Sequence, residues 1–140
     1  YFGKPQCRRE APLRYILLAT TVFVASCAAP TSGWQWTADS KEAVSYADPS
    51  TIVRTGSTVK MLSMSDYREE QTWGGYKFFS SRAEIEYDCV QPRSRIIVEN
   101  GHAGHMATGA ATYAVQGPRA WLPVDEGTIA SSRRDIACGR

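Results

Sequence analysis

The sequence has few of the residues and none of the motifs that mark a catalytic site. It contains only two histidines, His102 and His105. It has no G-x-S-x-G, H-E-x-x-H, P-loop or G-x-G-x-x-G motif. The serine pairs at 80–81 and 131–132 have no evident histidine–aspartate relay. We therefore predict that the protein is not an enzyme and needs no cofactor.

Clustered positive charge is also scarce. The formal net charge is +2, and four basic residues but only one acidic residue precede position 27. The rest of the chain is therefore about neutral. A nucleic-acid-binding protein needs a basic surface, so we predict that this chain does not bind nucleic acid. Low-complexity tracts and solenoid repeats are lacking as well. A chain of 140 residues without them fits one domain and a tail.

No apolar run is long enough to cross a bilayer comfortably, which takes about 20 residues. The longest run, residues 15–25, follows basic residues and precedes small ones, as in the signal peptide of an exported protein. Val24-Ala-Ser-Cys27 resembles the lipobox of bacterial lipoproteins. We expect a lipoprotein signal peptide over residues 1–26, lipid attachment at Cys27 and an acylated tether over residues 27–33. The alternative is an ordinary cleaved signal in which Cys27 carries no lipid.

The lipobox resemblance also implies a location. Each acyl methylene buried in a membrane contributes about 0.8 kcal/mol, so the two or three chains of a bacterial lipoprotein give slow release. Ala28 follows Cys27, and a lipobox cysteine followed by this residue resembles the sorting signal of lipoproteins that reach the outer membrane. We expect a chain anchored by lipid to the cell outer membrane, with its domain facing either the periplasm or the surface.

The chain has four cysteines, Cys7, Cys27, Cys89 and Cys138. Cys7 lies in the predicted signal peptide and Cys27 in the lipobox, so an even pair remains for an oxidising compartment. We predict a Cys89–Cys138 disulfide, which would stabilise the domain by about 4 kcal/mol in the chain-entropy model. The alternative is a metal or redox pair, but the sequence has no CxxC motif and no companion ligands.

From residue 34 onward the pattern favours short strands separated by turns. The predicted breaks are Asp48-Pro49-Ser50, Gly56-Ser57, a polar loop over residues 69–75, Gln91-Pro92, a Gly-rich stretch over residues 101–109, and Gly117-Pro118. Residues 128–138 lack Gly and Pro and are the one good helix candidate, capped by Asp125 or Thr128. We predict an α+β domain over residues 34–140. It is a small antiparallel sheet of five to seven short strands with one C-terminal helix tied to it by the disulfide.

The same patterns predict where several polar and aromatic side chains lie. Glu84, Glu86 and Asp88 alternate with apolar residues, so we expect a solvated face. Arg133 and Arg134 suit the dipole at the helix C-terminus. Most aromatic residues are expected in the core, namely Trp34, Trp36, Tyr46, Tyr76 and Trp121. Trp73, beside Gly74-Gly75, is the exception and our candidate for partner contact.

The order and spacing of these features resemble the surface-adhesin protein E-like family of bacterial lipoproteins. The matching residues lie between positions 34 and 138 and are Tyr46-Ala-Asp48-Pro-Ser50-Thr-Ile52, Gly56, Val59-Lys-Met61, Asp66-Tyr67, Ser80-Ser81, Glu86-Tyr-Asp88-Cys89, Arg93, Arg95, Trp121 and Cys138. The resemblance implies a small antiparallel sheet with a disulfide-tied C-terminal helix. It also implies an outer-membrane lipoprotein that binds extracellular-matrix and serum proteins. The Gly-rich stretch departs from the founding members' pattern.

These observations leave three hypotheses for function. The first is a non-enzymatic envelope lipoprotein that presents a protein-binding, adhesin-like domain. The second is a periplasmic structural or envelope-maintenance module. The third is a weak haem or metal binder through His102 and His105, although solvated loop histidines are the simpler interpretation because a useful zinc site takes three or four ligands.

Overall fold

The computed structural model describes residues 33–140. The predicted signal peptide, Cys27 and all of the predicted tether except Gly33 lie outside these residues. The described part contains seven strands and one helix. They are β1 (Gln35–Asp39), β2 (Ala43–Thr55), β3 (Thr58–Trp73), β4 (Tyr76–Asp88), β5 (Arg93–His102), β6 (Ala111–Gln116), β7 (Leu122–Pro123) and α1 (Ile129–Cys138). This helix is too short to span a membrane.

The strands form one antiparallel sheet in the order β1-β2-β3-β4-β5-β6, and β7 pairs with β5 beyond the end of β6. Each strand from β1 to β6 therefore lies beside its sequence neighbour, and short connections join them, the longest being residues 103–110 between β5 and β6. The helix follows last and packs against β1 to β4. The predicted α+β fold, a small antiparallel sheet with one C-terminal helix, is confirmed.

Strands β2, β3 and β5 are longer than the sequence pattern suggested. The predicted turn at Asp48-Pro49-Ser50 is wrong, because these residues lie inside β2 where its register against β3 shifts between Asp48 and Val53. Proline lacks an N–H for the ladder, so such an irregularity tolerates it. The Thr51 hydroxyl compensates by accepting the N–H of Leu62 at 2.9 Å.

The core lies between α1 and the sheet. On the sheet it consists of small and medium apolar side chains with one buried tyrosine; its members are Ala47, Val59, Met61, Ala83, Ile85 and Tyr87. Ala137 meets them from the helix, and Ile136 packs at the margin. A core with so few large side chains gives limited hydrophobic stabilisation, which makes a covalent link between helix and sheet valuable.

The disulfide supplies that link. Cys138 is the last residue of α1 and Cys89 directly follows β4, and their sulfurs are bonded with the Cα atoms 5.6 Å apart. The predicted helix is also confirmed. Thr128 caps its first turn in a capping box with Ser131, and Gly139 ends it in the left-handed conformation at φ 73°.

Both arginines of α1 are buried, and they donate hydrogen bonds to groups outside the helix, which their fit to the helix dipole did not predict. The Arg133 guanidinium donates to the Ser45 hydroxyl at 2.8 Å, the Met64 carbonyl at 2.8 Å and the Ser65 hydroxyl at 2.9 Å. Arg134 donates to the Asp88 carbonyl at 2.8 Å. The helix is therefore fixed to the sheet by polar contacts as well as by its apolar face.

The expected solvated acidic face is also wrong for two of its three members. Glu86 and Asp88 are buried, whereas Glu84 is half-buried and so partly in contact with solvent. Glu86 accepts from Arg95 at 2.6 Å and Asp88 from Arg93 at 3.0 Å. A buried carboxylate is tolerated when it is paired and hydrogen-bonded.

A tryptophan covers these two ion pairs. The guanidinium carbons of Arg93 and Arg95 lie 4.7 and 4.5 Å from the ring centroid of Trp121. Trp121 comes just before β7, so the two cation–π contacts hold this returning segment beside β5. The carboxylates, arginines and indole together close the end of the sheet near the disulfide.

Candidate partner-binding surface

The β3–β4 hairpin presents two large aromatic side chains to solvent. Trp73 and Tyr76 are directly paired across the strands and are 50% and 52% exposed. Only Gly74 and Gly75 separate them, with φ of 56° and 84°. A two-residue loop that needs positive φ at both positions favours glycine, which adopts it without strain. The predicted polar loop over residues 69–75 is thus mostly strand.

The indole of Trp73 is held in place on one side. Its ring lies 5.1 Å from the ring of Tyr113 on β6, and the Arg119 guanidinium carbon lies 6.0 Å from its centroid. Tyr113 in turn packs edge-on against Phe78 at 5.1 Å. An aromatic side chain already fixed by its neighbours loses little conformational entropy when a partner covers it.

Tyr113 owes its position to a glycine on the neighbouring strand. It pairs with Gly101 of β5, and a Cβ at position 101 would lie 2.1 Å from the tyrosine ring. Burial, with a smaller contribution from the nearby Glu99 carboxylate, raises the pKa of Tyr113 above its ordinary value. The phenol therefore stays protonated, and its O–H lies 3.3 Å from Glu99 Oε1.

A shallow groove of about 380 Å³ runs between the hairpin and β6. It is lined by Trp73, Tyr76 and residues 111–114. Thr112 lines it too, but its hydroxyl oxygen is shielded from solvent and has no hydrogen-bond partner among the described residues, so this oxygen does not face the groove.

The other aromatic residues were expected mostly in the core, and the structure corrects this for two of them. Trp36 on β1 is 62% exposed and Tyr76 is 52% exposed. Trp34, Tyr46 and Trp121 are half-buried. Trp36 lies on the edge strand β1, whereas Trp73 ends β3 and contacts Tyr113 of β6, the other edge strand, so the two exposed indoles belong to separate surfaces.

The Gly-rich stretch after β5 contains the candidate ligand His105. Its Nδ1 lies 3.0 Å from Asp66 Oδ1, and its ring lies 4.8 Å from that of Phe79. Asp66 Oδ1 also accepts the N–H of Met106 at 2.9 Å. These contacts fix the loop to the sheet, so His105 already has a structural role.

His102 ends β5 and pairs with Ser80 and Ala111. Its Nδ1 is buried without a hydrogen-bond partner among residues 33–140. In the same part of the chain, no group of three or more His, Cys, Asp or Glu residues lies close enough to hold a metal ion. The two histidines therefore lack the additional protein ligands that a zinc site takes.

The sheet order, the C-terminal helix and the disulfide define the class: a small α+β domain with one helix cross-linked to an antiparallel sheet. Crystal form II of Haemophilus influenzae protein E shares this fold at a TM-score of 0.60 and 13% identity, over 78% of this chain and 89% of that one. The selenomethionine form of protein E shares the fold at a TM-score of 0.59 and 13% identity, over 78% of this chain and 88% of that one. At such identity the likeness shows the fold.

The family follows from the sequence itself. The profile of the family described as Surface-adhesin protein E matches residues 34–139, and the chain belongs to this family. The family resemblance noted from the sequence is thereby confirmed, and it places the chain among adhesin-like surface proteins. No curated protein matches it in sequence.

Sequence reasoning singled out Trp73 but missed the surface around it. Tyr113 was not grouped with it, because its proximity to Trp73 depends on the register from β3 to β6 and not on spacing along the chain, and Tyr76 was expected in the core. A signal was available for one of them. Trp-Gly-Gly-Tyr is a hairpin pattern that places its two aromatic residues opposite each other.

Proposed function

We propose that this chain is an outer-membrane lipoprotein, acylated at Cys27, whose domain binds protein partners through the surface formed by Trp73, Tyr76 and β6. The exposed and preorganised indole of Trp73 is the observation that carries the proposal. Aromatic side chains held by their neighbours at an exposed surface are typical of the residues that dominate binding energy in protein interfaces. Membership in an adhesin family supports the same conclusion.

The binding part of the proposal is tested with immobilised extracellular-matrix and serum proteins. The purified chain should bind at least one of them, and Trp73→Ala should weaken this binding by about thirtyfold, as expected for loss of an aromatic hot spot. Trp36→Ala is the matched control, since it removes another exposed indole, on the β1 edge away from β6, and should leave binding unchanged. Equal effects of the two substitutions would contradict the assignment of the surface.

The lipid anchor is tested separately. Cells fed a palmitate analogue should label the parent chain, and Cys27→Ala should abolish labelling and release a soluble protein. The intact mass of the mature parent should correspond to a chain that begins at an acylated Cys27. Labelling of Cys27→Ala at the parental level would overturn the anchor.

Orientation distinguishes the adhesin from an envelope-maintenance module. Protease added to intact cells should cut a domain that faces outward and should spare one that faces the periplasm. Protection in intact cells together with cleavage in lysed cells would favour the periplasmic alternative. Haem or metal titration of the parent against a His102→Ala/His105→Ala variant tests the third hypothesis, which predicts weaker binding by the variant.

A further inference from the structure

The outer edge of β6 is unpaired, since within residues 33–140 this strand pairs only with β5. Gly117, just beyond β6, donates its N–H to the Ile97 carbonyl at 2.7 Å. Peptide groups alternate in direction along an antiparallel strand, so those of Gln116 and Ala114 point away from β5. Both residues are exposed. The edge therefore offers backbone donors and acceptors to another chain.

The two edges of the sheet differ in how well they are protected. The β1 edge is five residues long, is interrupted by a register shift between Trp36 and Ala38, and ends at Asp39, which pairs with Arg68. Length and irregular pairing do not separate the two edges, since β6 is only six residues long and the register of its pairing with β5 also shifts, between Gly101 and His102; charge, a usual device against edge-to-edge pairing, does separate them. The sequence of β6, ATYAVQ, has neither a charge nor a proline.

Side-chain features beside β6 also point to a ligand. The groove lined by Trp73 and Tyr76 runs along residues 111–114. Arg119 lies near Trp73 and forms no ion pair within the described part of the chain. The groove thus combines an aromatic wall and a nearby cation.

We propose that β6 accepts an extended segment of a partner protein as an added strand, with the Trp73–Tyr76 hairpin as its side-chain pocket. This inference rests on the proposed protein-binding function and specifies how the partner binds. Backbone hydrogen bonds to Ala114 and Gln116 supply affinity, and alternate side chains supply specificity. The segment that fits carries an apolar side chain for the aromatic wall and an acidic one for Arg119.

The probe is a peptide selected from a displayed random library against the purified chain. Selected sequences should combine apolar residues at alternate positions with at least one acidic residue. Bound peptide should slow hydrogen exchange at the amides of Ala114 and Gln116, because added-strand pairing protects these donors. Peptides that bind without protecting these amides would overturn the inference.

Chemically altered peptides test strand pairing without any risk to the fold. N-methylation removes one backbone donor, so methylation at alternate positions should abolish binding while methylation at the intervening positions is tolerated. A peptide that tolerates methylation at every position is not an added strand. Failure to select any peptide also counts against the proposal.

A substitution at the edge gives the complementary test. Ala114→Pro removes an outward N–H and places a ring in the partner's path, and proline is tolerated at such edge positions. Peptide affinity should fall by about tenfold or more, since at least one backbone hydrogen bond is lost and the approach is obstructed. An unchanged melting temperature verifies the fold, and unchanged peptide affinity would contradict the proposal.

Other occupants give different results. If a second copy of the chain occupies the edge, sedimentation will show a concentration-dependent dimer that Ala114→Pro dissociates, and the partner-segment proposal is wrong. If matrix or serum proteins bind in a Trp73-dependent way but Ala114→Pro binds them equally well, the protein-binding function stands and the added strand does not.

Discussion

Two regions of the molecule differ in how their polar groups are hydrogen-bonded. One is the helix-covered region, formed by α1 and strands β1 to β4, and the other is the β6 edge. Under the helix, Arg133 is buried and donates to Ser45, Ser65 and a backbone carbonyl. At the β6 edge, backbone groups face outward and the Thr112 hydroxyl has no partner in the described part of the chain. The contrast places the stabilising polar contacts mainly in the first region and supports the proposal that the second region binds the partner.

The largest expected effect comes from breaking the cross-link in the helix-covered region. Cys89→Ser with Cys138→Ser should lower the free energy of unfolding by about 4 kcal/mol, since the disulfide closes a loop across a sequence separation of 49 residues. Urea denaturation under non-reducing conditions measures the loss. Reduction of the parent chain should reproduce it, and a variant as stable as the oxidised parent would contradict the assigned role.

Next in size is the removal of a buried guanidinium. Arg133→Met leaves three acceptors under α1 without their donor but also removes a buried charge, so we expect a net loss of about 2 kcal/mol in unfolding free energy. Arg119→Met, at the exposed edge, should change it by less than about 0.5 kcal/mol. Equal losses for both variants in urea melts would remove the energetic distinction between the two regions.

Substitution of Asp88 should have a smaller effect on stability, limited to acidic pH. The backbone N–H groups of Gln91 and Val90, with Arg93, hold its pKa below the ordinary value of 3.8. A lower pKa in the folded state gives stabilisation that is fully present above about pH 5 and is lost as the pH falls through the folded pKa. Asp88→Asn should therefore flatten the fall in urea midpoint between about pH 5 and 2.

The control for that pH profile lies on the same strand. Glu84 is half-buried and makes none of the ion pairs found within residues 33–140, so Glu84→Gln should leave the acid slope unchanged. A slope that changes as much with Glu84→Gln as with Asp88→Asn would show that the effect is one of general charge rather than of the Asp88 hydrogen bonds.

The smallest effect on stability is expected from Trp73→Ala. Half of the indole is exposed, and its main contact is the Tyr113 ring, so the loss should be no more than about 1 kcal/mol. The same variant should lose most of its partner binding. Thermal denaturation and binding measured on one preparation test this separation, which fails if binding survives or if the domain unfolds.

Features that depend on local pattern could be predicted from the sequence. The cysteine count gave the Cys89–Cys138 pair, and a run without Gly or Pro gave α1 together with its cap at Thr128. The strand count was also correct, because turn residues separate most of the strands. Pro49 gave a false turn signal, because a register shift accommodates this proline within β2.

Features that depend on pairing between distant residues could not be predicted. Glu86 and Asp88 appeared solvated because alternation alone does not show that Arg95 and Arg93 on the next strand neutralise them. The burial of Arg133 could not be predicted, because the hydroxyls that accept from it lie 68 and 88 positions away in the chain. The candidate site likewise needed the register that brings Tyr113 to Trp73.

The link between Cys89 and Cys138 has a practical consequence for work on living cells. Any single nick in the segment between these positions, including the Gly-rich stretch around His105, leaves two polypeptides joined through sulfur. On an unreduced gel the damaged protein will migrate near its original mass. Only after treatment with a thiol will the fragments separate, so degradation of this domain is invisible unless samples are reduced first.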